Sequence, residues 1–263
     1  MNYNQLSCLI LTYNEQANIR NLLDSLHWLQ DILVIDSGST DETLRLVSMY
    51  KNTTVLTRKF DTFANQCNFG LSQLSSDWVL SLDADYVVTR DLQTQIRYIL
   101  SSNSKHSSDS FDAFKIPFKY CINGKQIRSG LLPPRICLYR RSLAKYIDVG
   151  HAHKVQINGR IGKIDAFLLH NDRKPLERWI HSQIKYQKIE GDMLKVADVS
   201  NLAIQDKLRK NSFTAPFVAF IICLTLRGGI LDGKEGLIYA FQRLVAESLL
   251  YLSMHVQEAG MDE

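Results

Sequence analysis

The sequence predicts an α/β fold, in which a mixed sheet is flanked by helices and followed by a helical extension. Before the serine-rich stretch 101–110, short apolar runs alternate with segments of helical periodicity, which favours a parallel sheet with helical crossovers. After that stretch, strand-like runs and turn signals such as Asn123-Gly124 indicate a mixed or antiparallel extension of the sheet. From residue 174 onward, the apolar spacing is helical. We therefore expect a sheet domain over residues 1–170 and a helical extension over residues 171–263.

The first half of the sheet domain alternates between strand and helix. Its predicted strands are short apolar runs, as in strands that are covered on both faces. Its predicted helices carry apolar residues three and four positions apart. In chain order, we expect a strand at 6–11, a helix at 16–29, a strand at 32–35, a helix at 40–50, a strand at 53–57, a helix at 62–74 and a strand at 78–82. The short links between them favour right-handed crossovers and strands that run in one direction.

The remaining elements follow the serine-rich stretch. Strands are expected at 111–118, 121–128, 136–139 and 155–169, the last of them broken at Asn158-Gly159. Helices are expected from residue 174 and over residues 233–255. One glycine pair, Gly228-Gly229, and the pair Asp232-Gly233 interrupt the segment between these helices.

The composition narrows the class of protein. The five cysteines are dispersed and form no Cys-x-x-Cys pair, which favours reduced thiols over disulfides or a zinc site. The net charge of +4 is too small to indicate a nucleic-acid partner, and it suits a protein that handles phosphates or meets an acidic lipid surface. The first residues do not resemble a secretory signal. We therefore expect a cytoplasmic protein.

Two acidic residues follow the predicted strand at 78–82. Asp83 and Asp85 are separated by the small residue Ala84. Ligands of open α/β sheets bind beyond the carboxyl ends of the strands, and carboxylate oxygens there suit a divalent cation. Such a cation would neutralise a diphosphate and stabilise it as a leaving group. The alternative interpretation, an acidic turn that caps the next helix, is equally compatible with this triplet.

Two further polar loops follow the first and second predicted strands. Asp36 and Ser37 begin a small-residue loop that leads into a helix, where an acidic side chain could accept hydrogen bonds from a ribose. The alternative is a turn with a helix cap. The first strand ends at 12–15, Thr12-Tyr13-Asn14-Glu15, where Tyr13 offers a ring for stacking on a base; an ordinary loop is the alternative. Because parallel strands end at the same edge of the sheet, we expect all three loops to lie along one edge.

Taken together, the three loops resemble the signature motifs of family 2 glycosyltransferases with the GT-A fold. The resemblance covers roughly residues 5–170 and is strongest to bacterial enzymes that build lipopolysaccharide core or other surface glycans. It implies an inverting transfer that uses Mg²⁺ or Mn²⁺ and a nucleotide-sugar donor, most commonly a UDP-sugar. It also implies roles for the matching residues: nucleotide binding for Thr12, Tyr13, Asn14, Glu15, Asp36 and Ser37, and contact with the metal and diphosphate for Asp85, supported by Asp83 and Ala84.

The chain departs from the family pattern in the stretch 65–68. Relatives often carry a basic residue where this chain has Cys67, so that a contact to the donor phosphates is in doubt. The neighbouring Gln66 and Asn68 offer hydrogen bonds to the donor instead. Arginines in the second half of the domain, Arg135 among them, are candidates for a phosphate contact or else solvated charges of a sheet edge.

The general base is sought in the stretch 148–153. Relatives usually place a carboxylate here, but no Glu follows the histidine in this chain. His151, whose register fits the family histidine, ranks first, and His153 and Asp148 follow. Histidine has a suitable intrinsic pKa for a base near neutral pH. For each histidine alone, an ordinary surface or core role is at least as compatible with the sequence.

The apolar stretch 213–226 admits two interpretations. It is shorter than the roughly 18 residues that a membrane-spanning helix needs. The basic residues Lys207, Arg209 and Lys210 precede it and Arg227 follows it, a pattern typical of a segment attached to a membrane surface. Such a segment would hold the protein on the cytoplasmic face of the inner membrane, near a lipid-linked acceptor. A helix packed on the catalytic domain, or a dimer contact, is the other interpretation.

Other function classes remain as alternatives. A nucleotidyltransferase would use a similar fold and metal, but it usually carries a glycine-rich basic loop after the first strand, which residues 12–15 are not. A dehydrogenase is disfavoured because no Gly-x-Gly-x-x-Gly motif follows that strand. Cys67 and the missing carboxylate beside His151 keep a third class open, an inactive nucleotide-binding scaffold at the membrane.

Overall fold

The structure is a computed structural model that describes residues 5–102, 110–149 and 152–256, apart from the side chains at 149, 152, 153 and 201. The chain divides into two compact units. The sheet unit comprises Met1–Gln126 and Leu132–Arg173, and the helical unit comprises Ile127–Leu131 and Lys174–Glu263.

The sheet unit contains the strands β1 (Leu6–Thr12), β2 (Ile32–Asp36), β3 (Thr53–Thr57), β4 (Trp78–Asp83), β5 (Tyr86–Val88), β6 (Ala113–Ile116), β7 (Phe118–Ile122), β8 (Lys125–Gln126), β9 (Arg135–Arg140), β10 (Ala144–Val149), β11 (Ala152–Ile157), β12 (Ile161–Lys163) and β13 (Leu168–His170). Its helices are α1 (Ile19–Ser25), α2 (Thr43–Val47), α3 (Phe63–Gln73) and α4 (Arg90–Ser102). The helical unit contains α5 (Leu176–Val196), α6 (Ile204–Asn211), α7 (Ala215–Leu224) and α8 (Lys234–His255).

The central sheet has seven strands in the order β12-β6-β9-β4-β1-β2-β3. Strands β4, β1, β2 and β3 are parallel to one another, whereas β9 runs antiparallel to both β4 and β6. The predicted mixed sheet flanked by helices is therefore confirmed. In its register, Thr12 lies beside Asp36 and Leu11 beside Asp83, so that the tips of β2, β1 and β4 are neighbours at one edge.

Both faces of this sheet are covered, which explains the continuous apolar strands. On one face, Ile10 and Leu80 pack against the buried side chains of α1 and α4. On the other face, Leu9 and Val79 pack with α3 and with the β10–β11 hairpin. Helix α3 lies close to β1 because position 70 is glycine: a Cβ there would collide with the side chain of Leu9. Burying each large aliphatic side chain stabilises the fold by about 1.5–3 kcal/mol.

Several predicted bounds were wrong for local reasons. The helix expected at 16–29 covers only Ile19–Ser25, because the peptide N–H groups of Asn18 and Ile19 close a turn onto the carbonyl of Glu15. The helix expected at 40–50 covers only Thr43–Val47, after a turn in which the Asp41 carboxylate accepts from the Thr43 N–H. The strand expected at 155–169 is three strands, β11, β12 and β13.

The helical unit is held by polar as well as apolar contacts. Arg209 on α6 donates two hydrogen bonds to the Glu247 carboxylate on α8, at 2.9 and 2.6 Å. The segment Ile127–Leu131 joins this unit, which the predicted boundary at residue 170 did not anticipate. Its Arg128 and Ser129 N–H groups donate to the buried carboxylate of Asp232. Within the described ranges, the chain has no helix that is both long and apolar enough to cross a membrane.

Candidate active site

The loop after β2 is organised by the carboxylate of Asp36. This side chain is fully buried and accepts hydrogen bonds from the Thr12 hydroxyl at 3.0 Å and from the peptide N–H groups of Gly38 and Ser39, both at 2.8 Å. The Ser39 hydroxyl donates a fourth hydrogen bond to it. The turn predicted as the alternative interpretation of Asp36 is therefore present. Asp36 fixes the shape of the loop in which Ser37 and its neighbours lie.

The loop after β1 is tied to the loop after β2. The Asn14 side chain accepts from the Thr40 N–H at 2.8 Å, and the Asn14 N–H donates to the Ser39 hydroxyl, also at 2.8 Å. Asn14 has a φ of +55°, a conformation that asparagine tolerates better than most residues. The Glu15 N–H donates to the Thr43 hydroxyl at 2.7 Å. Tyr13 remains 53% exposed, so that its ring is accessible to a stacking partner.

Asp36 and Asp83 share the edge of the sheet but not its face. Asp36 lies beside Thr12 and Asp83 beside Leu11, and adjacent residues of a strand point to opposite faces. The Asp36 side chain is therefore on the face of α1, whereas the Asp83 side chain is on the face of α3. Two strand spacings place the backbones of these residues about 10 Å apart. The sequence predicted the shared edge correctly but left the opposite directions unstated.

Asp85 lies beside a histidine that the sequence analysis missed. The Asp85 Oδ2 atom is 3.5 Å from the His170 Nε2 atom, and both side chains are less than one-fifth exposed. His170 ends β13, which pairs with β5 and β7, and its ring packs 4.4 Å from that of Tyr120 and 5.5 Å from that of Tyr86. A histidine at the end of an apolar strand run, Leu168-Leu169-His170, is the signal that could have identified it.

The Asp85–His170 pair fits a divalent cation. Neighbouring ligands of an octahedral ion with bonds of about 2.1 Å are about 3 Å apart, close to the observed separation of the two side chains. Within the described part of the chain, the His170 Nδ1 atom is buried and has no hydrogen-bond partner, so the orientation of the ring is set by packing. No group of three or more His, Cys, Asp and Glu side chains in the described ranges is arranged to hold a metal.

Asp83 is paired with an arginine instead of a histidine. The Arg135 guanidinium lies 3.9 Å from the Asp83 carboxylate, and both side chains are about half exposed. Cys67, on α3, is buried on the same face. Burial raises the pKa of the Cys67 thiol far above its usual value, and the carboxylates of Asp83 and Asp148 raise it further. The thiol is thus neutral in the position where relatives often carry a cation, and Arg135 supplies positive charge nearby.

Gln66 and Asn68 hold the surrounding loops in place. The Gln66 side chain is buried; it donates to the Ser37 hydroxyl and the Arg58 carbonyl, each at 3.0 Å, and accepts from the Arg58 guanidinium at 2.7 Å. The Asn68 side chain donates a hydrogen bond to the Tyr146 carbonyl at 3.0 Å and accepts one from the Tyr146 N–H at 2.9 Å. Gln66 thus positions Ser37 and Arg58, and the predicted contacts of Gln66 and Asn68 with the donor stay predictions.

The β10–β11 hairpin carries the candidate bases. In its register, the backbone of Asp148 is opposite that of His153. The Asp148 carboxylate accepts from the Ala64 N–H at 3.1 Å, at the first turn of α3, where the helix dipole favours a negative charge. His151 and the side chain of His153 lie outside the described residues.

The comparison with known families decides the class of this site. A model of "Glycosyl transferase family 2" matches residues 7–156, which include the three strand-tip loops and the β10–β11 hairpin. The chain belongs to glycosyl transferase family 2. It is a glycosyltransferase by this membership, and the predicted GT-A fold is confirmed.

Relatives and solved structures agree with this membership. An uncharacterized glycosyltransferase of Rickettsia prowazekii is 24% identical over 255 residues, covering 92% of this chain and 85% of that protein. The lipopolysaccharide core biosynthesis glycosyltransferase LpsC of Rhizobium meliloti is 24% identical over 252 residues, covering 90% of this chain and 89% of LpsC. The crystal structure of Staphylococcus aureus TarS 1–349, in complex with UDP-GlcNAc, shares the fold with a TM-score of 0.50 at 14% identity, covering 97% and 93% of the two chains.

Proposed function

We propose that this glycosyltransferase moves a sugar from a UDP-sugar to a glycan or lipid-linked acceptor, with inversion and with Mg²⁺ or Mn²⁺ bound at Asp85 and His170. The observation that carries this proposal is the 3.5 Å approach of these two side chains beside the tips of β1, β2 and β4. Carboxylate oxygens suit Mg²⁺ and Mn²⁺, and histidine is the commonest metal ligand in proteins. The carboxyl ends of parallel strands are where ligands of α/β sheets bind. A cation bound there would stabilise the departing diphosphate.

In this proposal, different residues contact the base, the ribose and the phosphates of the donor. The exposed ring of Tyr13 stacks on the base, and the loops that Asn14 and Asp36 shape contact the ribose through Glu15 and Ser37. Arg135 lies beside Asp83 and binds the donor phosphates in place of the basic residue that relatives often carry at position 67. A guanidinium suits this contact because it binds phosphate oxygens in a bidentate manner.

The base that deprotonates the acceptor hydroxyl is proposed to lie on the β10–β11 hairpin. His151 ranks first among the three candidates, followed by His153 and Asp148. Asp148 already accepts a hydrogen bond from the Ala64 N–H on α3, which also supports a purely structural role. Replacing His151 with Ala, His153 with Ala and Asp148 with Asn is expected to lower kcat by about 10²–10⁴ in the variant that lacks the base. If all three variants keep near-normal turnover, the base lies elsewhere.

The acceptor is proposed to belong to the cell envelope. The similarity to LpsC extends over nine-tenths of both chains, and LpsC is named for lipopolysaccharide core biosynthesis. TarS, whose structure contains UDP-GlcNAc, shares the fold. These likenesses favour a cytoplasmic enzyme that takes a nucleotide-sugar and an envelope glycan or its lipid-linked precursor.

A donor screen tests this proposal. The full chain is incubated with UDP-, GDP- and dTDP-sugars and Mn²⁺, and the released nucleotide is measured. We expect metal-dependent release from a UDP-sugar by the wild type, and its loss in Asp85→Ala. Asp77→Asn, at an exposed position before β4, is the matched control and should release nucleotide normally. Metal-dependent binding of UDP without release from any donor would support the inactive scaffold instead.

A further inference from the structure

The helices α7 and α8 present apolar side chains to solvent. Phe217 and Ile221 lie one turn apart on α7, and Phe241 and Val245 lie one turn apart on α8. The ring of Phe220, next to Ile221, lies 5.1 Å from the ring of Phe241, which joins the two apolar stripes into one patch. The turn between the helices adds two leucines that are 82% and 73% exposed. We call this patch the hairpin face: Phe217, Ile221, Leu226, Leu231, Phe241 and Val245.

The charges exposed around the hairpin face are positive. Between residues 207 and 256, the acidic residues are Asp232, Glu235 and Glu247, and each is only 5–6% exposed. Glu247 is neutralised by Arg209 and Arg243, and Asp232 accepts hydrogen bonds from the segment 127–131. In contrast, Arg227 in the turn and Lys234 at the start of α8 are exposed, although the Lys234 ammonium also lies 3.8 Å from the Glu235 carboxylate. Residues 207–256 therefore bury their negative charges and expose positive ones beside an apolar patch.

We infer that the hairpin face binds the surface of a bilayer that contains anionic lipid. The apolar side chains would enter the boundary between head groups and acyl chains, and the cations beside them would meet anionic head groups. A large exposed apolar patch on a folded protein marks a site of interaction. The lipid surface is a partner in its own right, and its binding does not require the donor site.

A second copy of the chain fits this face less well than a bilayer does. A symmetric dimer through the hairpin face would place Arg227 and Lys234 of both copies in the same interface. Like charges placed together in an interface are unfavourable, and the acidic side chains of residues 207–256 are already buried. An anionic bilayer complements both features of the face, its apolar surface and its positive charge.

Co-flotation of the full chain with lipid vesicles tests this inference. One set of vesicles contains phosphatidylethanolamine and phosphatidylglycerol, and the other contains phosphatidylcholine alone. We expect the bound fraction to be at least about ten-fold larger on the anionic vesicles and to fall as salt is added. Cell fractionation provides a second readout: the protein should sediment with membranes at low salt.

Two pairs of variants identify the surface. The double variant Leu226→Ser, Leu231→Ser should reduce vesicle binding at least about ten-fold, because it removes two apolar side chains that would be buried between the lipid head groups and the acyl chains. The matched control, Met49→Ser with Tyr98→Ser, removes two side chains of the sheet unit that are 60% and 72% exposed, and should bind like the wild type. Arg227→Glu with Lys234→Glu should weaken binding to anionic vesicles alone, whereas Lys51→Glu with Lys163→Glu should not. Circular dichroism during heating verifies that each variant is folded.

Three outcomes would overturn the inference. The wild type would remain unbound with anionic vesicles at low salt, or the Leu226→Ser, Leu231→Ser variant would float like the wild type. In the third, the wild type would not bind vesicles, and light scattering would show that it is a dimer and that the Leu226→Ser, Leu231→Ser variant is a monomer. The hairpin face would then bind a second copy of the chain. Nucleotide release in the absence of vesicles reports separately on the proposed transfer, so failure of one proposal does not imply failure of the other.

Discussion

The tips of β2 and β4 both carry aspartates, but the two are used differently. The Asp36 carboxylate is buried and accepts four hydrogen bonds, one from the tip of β1 and three from its own loop. The contacts of Asp83 with the Arg135 guanidinium and of Asp85 with the His170 ring are longer, at 3.9 and 3.5 Å. A guanidinium can bind phosphate, and a carboxylate beside an imidazole can bind a metal. The Asp36 carboxylate thus shapes the loops of the site, whereas we propose that the tip of β4 supplies its chemistry.

The largest expected effect comes from the β4 tip. Asp85→Asn keeps the size of the side chain but removes its charge, so we expect turnover with the preferred UDP-sugar to fall at least about 10³-fold. The free energy of unfolding should fall less than in Asp36→Asn, because the Asp36 carboxylate is fully buried and accepts four hydrogen bonds. Steady-state kinetics and urea unfolding measure the two quantities. A variant that loses stability but keeps activity would reverse the assignment of the two tips.

The corresponding change at the β2 tip should affect folding instead. Asp36→Asn places an amide NH₂ group against peptide N–H donors at a buried position, and it loses the charge that these donors stabilise. We expect a loss of about 3 kcal/mol in the free energy of unfolding, or about 150-fold in the folding equilibrium. Urea unfolding beside Asp77→Asn measures this loss. An unchanged midpoint would show that the loop does not depend on the carboxylate.

A substitution at His170 tests whether its imidazole belongs to the proposed cation site at the tip of β4. His170→Gln keeps a polar side chain but removes the imidazole nitrogen beside Asp85. We expect the affinity for Mn²⁺ in the presence of UDP to fall by about 10- to 100-fold. Titration of Mn²⁺ followed by electron paramagnetic resonance measures free against bound ion. His181→Gln, at an exposed position on α5, is the matched control, and an equal loss in both variants would remove His170 from the site.

The smallest effect is expected at Cys67. Burial and the two nearby carboxylates raise the pKa of its thiol, so the side chain is uncharged and makes no electrostatic contribution to donor binding. Cys67→Ser should keep kcat/KM within about two-fold of the wild type and reduce the free energy of unfolding by about 1 kcal/mol. A tenfold loss of kcat/KM at unchanged stability would instead place the thiol in contact with the donor.

The features of the site that depend on local pattern could be predicted from the sequence. Apolar runs that alternate with helical segments predicted the parallel strands, and parallel strands share one edge, so Asp36 and Asp83 were placed there correctly. The turn around Asp36 was also foreseeable, because aspartate commonly bonds the peptide groups that follow it.

The features that depend on distant partners could not be predicted. His170 reaches Asp85 only because β13 pairs with β5, and no local signal specifies that pairing. Gln66 and Asn68 were predicted to contact the donor because their amides suit it. That contact stays a prediction, whereas their hydrogen bonds to Arg58, Ser37 and the backbone of Tyr146 had no local signal. Likewise, the burial of Glu247 follows from Arg209 on another helix, which a charge pattern alone does not reveal.

Thermal unfolding of the chain with UDP, with and without Mn²⁺, tests the proposed cation site at Asp85 and His170. We expect UDP to raise the free energy of unfolding only when the metal is present, by about 2.7 kcal/mol at a UDP concentration one hundred times its Kd. Asp85→Asn and His170→Gln should lose this stabilisation, and Asp77→Asn should keep it. Equal stabilisation by UDP without metal, or a full metal-dependent response in Asp85→Asn and His170→Gln, would contradict a cation site at these two side chains.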